Sequence, residues 1–125
     1  MKFIKSWILV QIICAVSFCQ PVHAENNNYL LINLTSYTSP ESHKAIEYAK
    51  AELRKGRPVI IYLNDASVLV AAKSNAQQFQ KQQYNLNELI KKGAIVAACP
   101  HCMKRYGVAE SELLPGIQVA EVSQE

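Results

Sequence analysis

Three short apolar segments, separated by longer amphipathic ones, constrain the fold more than any other feature of the sequence. They cover residues 29–34, 58–63 and 93–98. Each is almost continuously apolar, which is typical of strands in a parallel sheet with both faces covered. A looser alternation over residues 117–122 predicts a fourth strand at a sheet edge.

An amphipathic helix is predicted between the first two strands. Ser39-Pro40 is a favourable helix start, because serine caps the first turn and proline fits its first position. Ile46 and Ala49 then recur at helical spacing, with charged residues between them, and Gly56 ends the helix.

Three further segments lie between the second and third strands. Residues 66–72 predict a short apolar helix that packs in the interior, with a subunit contact as the alternative. Residues 74–85 are rich in glutamine and predict a surface loop, either a plain excursion or a substrate lid. Asn85 and Glu88 resemble a capping box that opens the next helix.

Strands alternating with helices in this way predict βαβ units, an α/β fold and a mainly parallel sheet with right-handed crossovers. In such sheets, reactive groups gather beyond the carboxyl ends of the strands. Residues 35–38 and Asn64-Asp65 follow the first two strands, so they are candidate walls of a site.

The N-terminal residues have the composition of a secretion signal. Two lysines precede an apolar run over residues 7–18, and residues 22–24 place small side chains where a signal peptidase reads them. The run is short for a membrane span. We therefore expect cleavage after Ala24 and no stable membrane insertion afterwards, which leaves residues 25–125 as one periplasmic or secreted domain. An uncleaved anchor or a lipoprotein is the alternative.

Charge and motif content limit the partners and cofactors. The chain has 13 Lys and Arg residues against 10 Asp and Glu residues, and two of the lysines belong to the predicted signal. A nearly neutral domain without an extended basic run does not predict nucleic-acid binding. Since no glycine-rich phosphate fingerprint follows the first strand, we expect no nucleotide cofactor.

Signal cleavage removes Cys14 and Cys19 and leaves only the pair in Cys99-Pro100-His101-Cys102. This Cys-x-x-Cys set stands where the third strand gives way to a helix. Unpaired N–H groups and the positive end of the helix dipole favour a thiolate there. We therefore predict Cys99 as the nucleophile, Cys102 as the resolving thiol and His101 as an electrostatic neighbour that lowers the thiol pKa. A solvated His101 without a role is the alternative.

Several chemistries fit this pair. In thiol–disulfide exchange Cys99 attacks and Cys102 resolves. In sulfur transfer Cys99 carries a terminal sulfur as a persulfide. In a binding module the two thiolates hold a soft metal, which suits copper(I) better than zinc because two ligands do not complete a zinc site. An inert local disulfide and a partner-binding module without catalysis are further alternatives, and no metal or cofactor is assigned.

Two resemblances bear on this choice. Cys-Pro-His-Cys is similar to the active-site motif of the DsbA thiol oxidases, but residues 103–125 are too few for the rest of a thioredoxin fold. The order of segments over residues 56–65, 89–99, 105–108 and 114–117 resembles the DsrE/DsrF-like family of small sulfur-relay proteins instead.

The second resemblance implies a specific fold and function. It implies a Rossmann-like, three-layer α/β/α sandwich with a sheet of four or five strands. It implies a persulfide-carrying cysteine at Cys99, with a sulfur donor, a sulfur acceptor or a thiol protein as partner. It also implies a homo-oligomer, a trimer or a hexamer.

Overall fold

The structure is a computed structural model, and it describes residues 28–121. The predicted signal over residues 1–24, with Cys14 and Cys19, lies outside the described residues. The end of the predicted last strand, beyond residue 121, lies outside them as well.

Four parallel strands form one sheet in the order β1-β2-β3-β4. They are β1 (Leu30–Leu34), β2 (Val59–Leu63), β3 (Ile95–Ala98) and β4 (Ile117–Val119). The parallel sheet, its four strands and the edge position of the last one are therefore confirmed.

Helices connect every pair of consecutive strands, as an α/β fold requires. The α-helices are α1 (Pro40–Arg54), α2 (Gln80–Lys91) and α3 (Pro100–Tyr106). Short 3₁₀ helices cover Asp65–Ala71, Lys73–Asn75 and Glu110–Glu112. Within residues 28–121, none of the helices has the length and apolar character needed to cross a membrane.

Helix α1 begins where the sequence predicts. The hydroxyl of Ser39 accepts the N–H of Ser42 at 3.1 Å, and Pro40 occupies the first helical position. Ile46 and Ala49 are buried on the inner face of the helix. The cap and the apolar stripe together explain why this helix could be located from sequence.

The apolar segment after β2 packs in the interior, as predicted. Val68, Val70 and Ala71 in the first 3₁₀ helix are fully buried. Ser67 is also buried, and its hydroxyl donates to the carbonyl oxygen of Leu34 at 2.6 Å. This bond satisfies a polar group inside the core and ties the segment to the end of β1.

The loop predicted over residues 74–85 and the capping box at Asn85 are wrong in part, because α2 already begins at Gln80. The reason is a buried glutamine on the inner face of this helix. The amide of Gln83 donates to the carbonyl oxygens of Val70 at 3.0 Å and Ala72 at 2.9 Å. A polar residue therefore stands where helical periodicity would call for an apolar one, and the apolar stripe is interrupted.

The helical elements pack on one face of the sheet. Helix α1 contacts α2, and the first 3₁₀ helix contacts both α2 and α3. In β2 the side chains toward the helices are 1% exposed or less (Val59, Ile61 and Leu63). On the opposite face, Leu31 is 56% and Ile95 is 47% exposed. Residues 28–121 thus supply the sheet and one helical layer of the sandwich.

Replacing Gln83 by leucine should destabilise the fold, because two buried carbonyl groups lose their hydrogen-bond donor. We expect a loss of about 1–3 kcal/mol in the free energy of unfolding, measured by urea denaturation. Gln80→Leu is the matched control, since Gln80 is exposed on the same helix. Equal stability of the two variants would contradict a structural role for the Gln83 amide.

Candidate functional site

Cys99 lies directly after β3 and caps α3. Its N–H donates to the carbonyl oxygen of Leu63 at 2.9 Å, which continues the β2–β3 ladder by one residue. Its sulfur accepts the N–H of Cys102 at 3.3 Å, and Pro100 is the first helical residue. The side chain is 8% exposed. The predicted junction of strand, cysteine and helix is therefore confirmed.

Cys102 is held by the turn that follows β2. Its thiol donates to the side-chain oxygen of Asn64 at 3.1 Å, and its sulfur accepts the N–H of Asp65 at 3.2 Å. Both cysteines are free thiols. The structure thus brings the predicted wall residues Asn64 and Asp65 into direct contact with the cysteine pair.

The shape of this turn depends on Asp65. Asp65 has a φ of 50°, and among residues 28–121 it is the sole non-glycine residue with a positive φ. Aspartate tolerates this left-handed conformation better than most residues. The side chain of Asn64 accepts the Asp65 N–H at 2.9 Å, and the Asp65 carboxylate accepts the hydroxyl of Tyr106 at 2.7 Å. These bonds hold the Asp65 N–H toward Cys102.

The two thiols differ in their acidity. Burial alone raises the pKa of Cys99, but hydrogen bonds from Cys102, Tyr62 and the His101 N–H outweigh it and lower that pKa below its ordinary value. Burial raises the pKa of Cys102, and its interaction with Cys99 raises it further. Cys99 is therefore the thiol that ionises first, and Cys102 is the proton-bearing neighbour.

The remaining histidines take different positions. His101 is exposed, and it reaches Cys99 through its backbone N–H. His43 lies on α1 and lines a cavity of about 430 Å³ between the starts of α1 and α2. In the described part of the chain, no group of three or more His, Cys, Asp or Glu residues comes together as a metal site would need. An electrostatic role for the His101 side chain stays a prediction.

Two tyrosines belong to the site and were not singled out from sequence. Tyr62 hydrogen-bonds Cys99, and burial together with that thiolate raises the pKa of Tyr62 to about 12. Tyr106 reaches Asp65. The spacing of both residues could have placed them near the cysteines. Tyr106 is one helical turn after Cys102, and so lies on the same side of α3. Tyr62 lies in β2, two residues before the turn at Asn64.

The other predicted wall, residues 35–38, makes local contacts instead. The hydroxyl of Ser36 lies 3.5 Å from that of Thr38, and the Ser42 hydroxyl donates to the Ser36 carbonyl oxygen. Among the hydrogen bonds of the described residues, none joins this loop to the cysteine pair. Its role as a wall of the site stays a prediction.

The acidity difference predicts the order in which the thiols react. Because the Tyr62 hydroxyl stabilises the Cys99 thiolate, Tyr62→Phe should raise the pH at which Cys99 becomes reactive. Alkylation rates of each cysteine, measured by peptide mass spectrometry over about pH 5–10 around the ordinary thiol pKa, would show this. Tyr84→Phe, at an exposed position of α2, is the control. The prediction fails if Cys102 ionises first or if Tyr62→Phe leaves the Cys99 profile unchanged.

Comparison with known proteins agrees with this architecture. Residues 27–124 match the family model described as the DsrE/DsrF-like family. The uncharacterized protein MK0008 of Methanopyrus kandleri is 27% identical over 92 residues, which cover 73% of this chain and 76% of that protein. The uncharacterized protein MJ0989 of Methanocaldococcus jannaschii is 29% identical over 92 residues, covering 73% and 81% of the two chains.

Proposed function

The chain belongs to the DsrE/DsrF-like family, a family with sulfur-relay functions, and from that premise we propose that it handles sulfur through Cys99. In this proposal Cys99 carries sulfur as a persulfide or exchanges disulfides, and Cys102 acts as the resolving thiol. The partners are a sulfur donor and a sulfur acceptor or thiol protein.

The position of Cys99 is the observation that carries the proposal: it follows β3 directly and caps α3, with the Cys102 N–H 3.3 Å from its sulfur. Cys99, at the start of α3, has its pKa lowered, while the pKa of Cys102 is raised. Because the thiolate is the reactive form, Cys99 is the nucleophile and Cys102 is the thiol that stays protonated until a later step. A cysteine pair with a purely structural role does not require two thiols of different pKa.

Loading of Cys99 follows from thiolate chemistry. The Cys99 thiolate attacks the terminal sulfur of a donor persulfide, the sulfur–sulfur bond of the donor breaks, and the donor leaves as a thiolate. Cys99 then holds one additional sulfur atom. An acceptor thiolate that attacks this terminal sulfur takes it away and restores the Cys99 thiolate.

Cys102 provides a second route by which the Cys99 persulfide can release its sulfur. Once deprotonated, its sulfur can attack the inner sulfur of the Cys99 persulfide, which forms the Cys99–Cys102 disulfide and releases hydrosulfide. The raised pKa of Cys102 delays this step and protects the persulfide from premature release.

A periplasmic thiol–disulfide oxidoreductase is the second candidate, and the direct contact of the two cysteines favours it. The Cys102 N–H already lies 3.3 Å from the Cys99 sulfur. In that function Cys99 attacks a disulfide of a partner protein, and Cys102 resolves the mixed disulfide. His101 would assist the nucleophile in either function.

Export and assembly complete the proposal. The basic and apolar character of residues 1–24 supports a cleavable signal and a periplasmic or secreted domain. Membership of the family supports a homo-oligomer, a trimer or a hexamer.

Incubating the reduced protein with a low-molecular-weight persulfide should add one sulfur atom to Cys99, measured by intact and peptide mass spectrometry. Cys102→Ser should keep the adduct and prolong its lifetime, because the resolving attack is lost. Cys99→Ser should abolish the adduct, and it is the matched control because it retains the second thiol.

If neither the wild type nor Cys102→Ser gains a sulfur atom on Cys99, the persulfide function is wrong. If the same protein then reduces insulin disulfides in a Cys99-dependent manner, the oxidoreductase function takes its place. Copper(I) retained by the wild type through gel filtration, without either activity, would identify a metal-binding module.

A further inference from the structure

The side chain of Asn64 hydrogen-bonds Cys102, the thiol that the proposed function assigns to the resolving step. The amide oxygen of Asn64 accepts the Cys102 thiol at 3.1 Å and the Asp65 N–H at 2.9 Å. A backbone N–H can only donate, so the atom that faces it is the amide oxygen and not the amide nitrogen. The orientation of the Asn64 amide is therefore fixed, and Cys102 meets a hydrogen-bond acceptor there.

An acceptor at this place selects the neutral form of Cys102. A thiol has a proton to donate to the amide oxygen, whereas a thiolate has none and would face the negative end of the amide dipole. The Asp65 N–H completes the fit, because it also donates to the Cys102 sulfur at 3.2 Å. The turn therefore offers one acceptor to the thiol proton and one donor to the sulfur, a set that matches a protonated thiol.

The backbone of Asn64 is anchored independently of its side chain. Its N–H donates to the carbonyl oxygen of Leu34 at 2.7 Å, and its carbonyl oxygen accepts the N–H and the hydroxyl of Ser67 at 3.2 and 2.6 Å. A capping asparagine ordinarily accepts an N–H two or three residues into the helix. Here the Ser67 N–H, at the third position, bonds the Asn64 carbonyl oxygen instead. The Asn64 side chain is thereby turned toward Cys102.

The titratable groups that face Cys102 come from two elements. Burial is the largest cause of the raised pKa of Cys102, and Cys99, at the start of α3, adds to it. The Asp65 carboxylate, on the first 3₁₀ helix, acts in the same direction and is held by the hydroxyl of Tyr106 at 2.7 Å, while the Asp65 N–H acts in the opposite direction. Both neighbouring negative charges therefore support the neutral thiol that the Asn64 oxygen selects.

From this geometry we infer that Asn64 is a positioning residue that holds Cys102 as a neutral thiol and thereby determines how sulfur leaves Cys99. The inference rests on the proposed function and adds the residue that regulates it. While Asn64 accepts the Cys102 proton, the Cys99 persulfide passes its terminal sulfur to an acceptor thiolate. When this hydrogen bond opens and the proton goes to solvent, the Cys102 thiolate attacks the persulfide instead.

The two routes differ in their electron balance. In transfer, the acceptor thiolate takes the terminal sulfur and Cys99 leaves as a thiolate, so the protein is not oxidised. In release, the Cys102 thiolate bonds to the inner sulfur, the persulfide bond breaks, and hydrosulfide leaves with the electron pair. The two cysteines are then a disulfide, and a dithiol reductant must supply two electrons and two protons before the next cycle. Asn64 thus favours the route that needs no reductant.

Two substitutions that keep a helix-capping oxygen test this role. Asn64→Ser has a shorter side chain that does not extend to Cys102, whereas Asn64→Asp keeps the reach and adds a negative charge. With serine, Cys102 should ionise at a pH about 0.5–1 lower, because the neutral thiol has lost one hydrogen bond. With aspartate, it should ionise at a higher pH. Alkylation of Cys102 in the reduced protein over a pH series, measured by peptide mass spectrometry, checks both shifts.

The same variants should release sulfur at different rates after loading with glutathione persulfide and removal of the excess donor. Without a reductant, Asn64→Ser should release hydrosulfide about twofold to threefold faster, because the gain in thiolate is partly offset by its weaker nucleophilicity. Asn64→Asp should release it more slowly than the wild type. Cys102→Ser gives the background rate, and Asn87→Ser, on α2, is the matched control that should leave both measurements unchanged.

An unchanged Cys102 profile, or a shift in the same direction in both Asn64 variants, overturns the inference, because a purely structural cap does not distinguish serine from aspartate in this way. Failure of the proposed function gives a different result: Cys99 gains no sulfur atom in any variant. If the Cys102 profile still shifts in opposite directions, Asn64 regulates the resolving step of disulfide exchange and the inference stands for that function.

Discussion

The hydrogen bond from the Cys99 N–H to the carbonyl oxygen of Leu63 is the contact on which the site depends. It is 2.9 Å long and extends the parallel ladder beyond the last residue of β3. The cysteine backbone is thereby fixed next to the turn that follows β2. Because Cys102 is one helical turn further on, its thiol meets Asn64 and Asp65 without any additional element. Strand pairing therefore determines the geometry of the two sulfur atoms.

The parts of this arrangement that sequence could predict are those governed by local rules. Apolar runs located the strands, Ser39-Pro40 located the start of α1, and the Cys99–Cys102 spacing located the thiol pair. Each of these signals depends on neighbouring residues alone. The rule that parallel strands end at one edge of a sheet predicts that Asn64 lies near the cysteine pair, but it does not predict the hydrogen bond between Asn64 and Cys102.

The parts that could not be predicted depend on long-range packing. Gln83 interrupts the apolar stripe of α2 because its partners are carbonyl groups of another segment, Val70 and Ala72. The apolar run of β1 suggested a strand covered on both faces, yet Leu31 lies 56% exposed. An apolar side chain looks the same in sequence whether its cover comes from its own chain or from another molecule.

Tyr62 connects the uncovered face of the sheet to the thiol site. Its ring belongs to the uncovered face of the sheet, and its hydroxyl lowers the pKa of Cys99. The reactivity of the thiol therefore responds to whatever lies on that face. Water beside Tyr62 can compete for its hydroxyl, whereas an apolar cover removes that competition and leaves the sulfur as its partner.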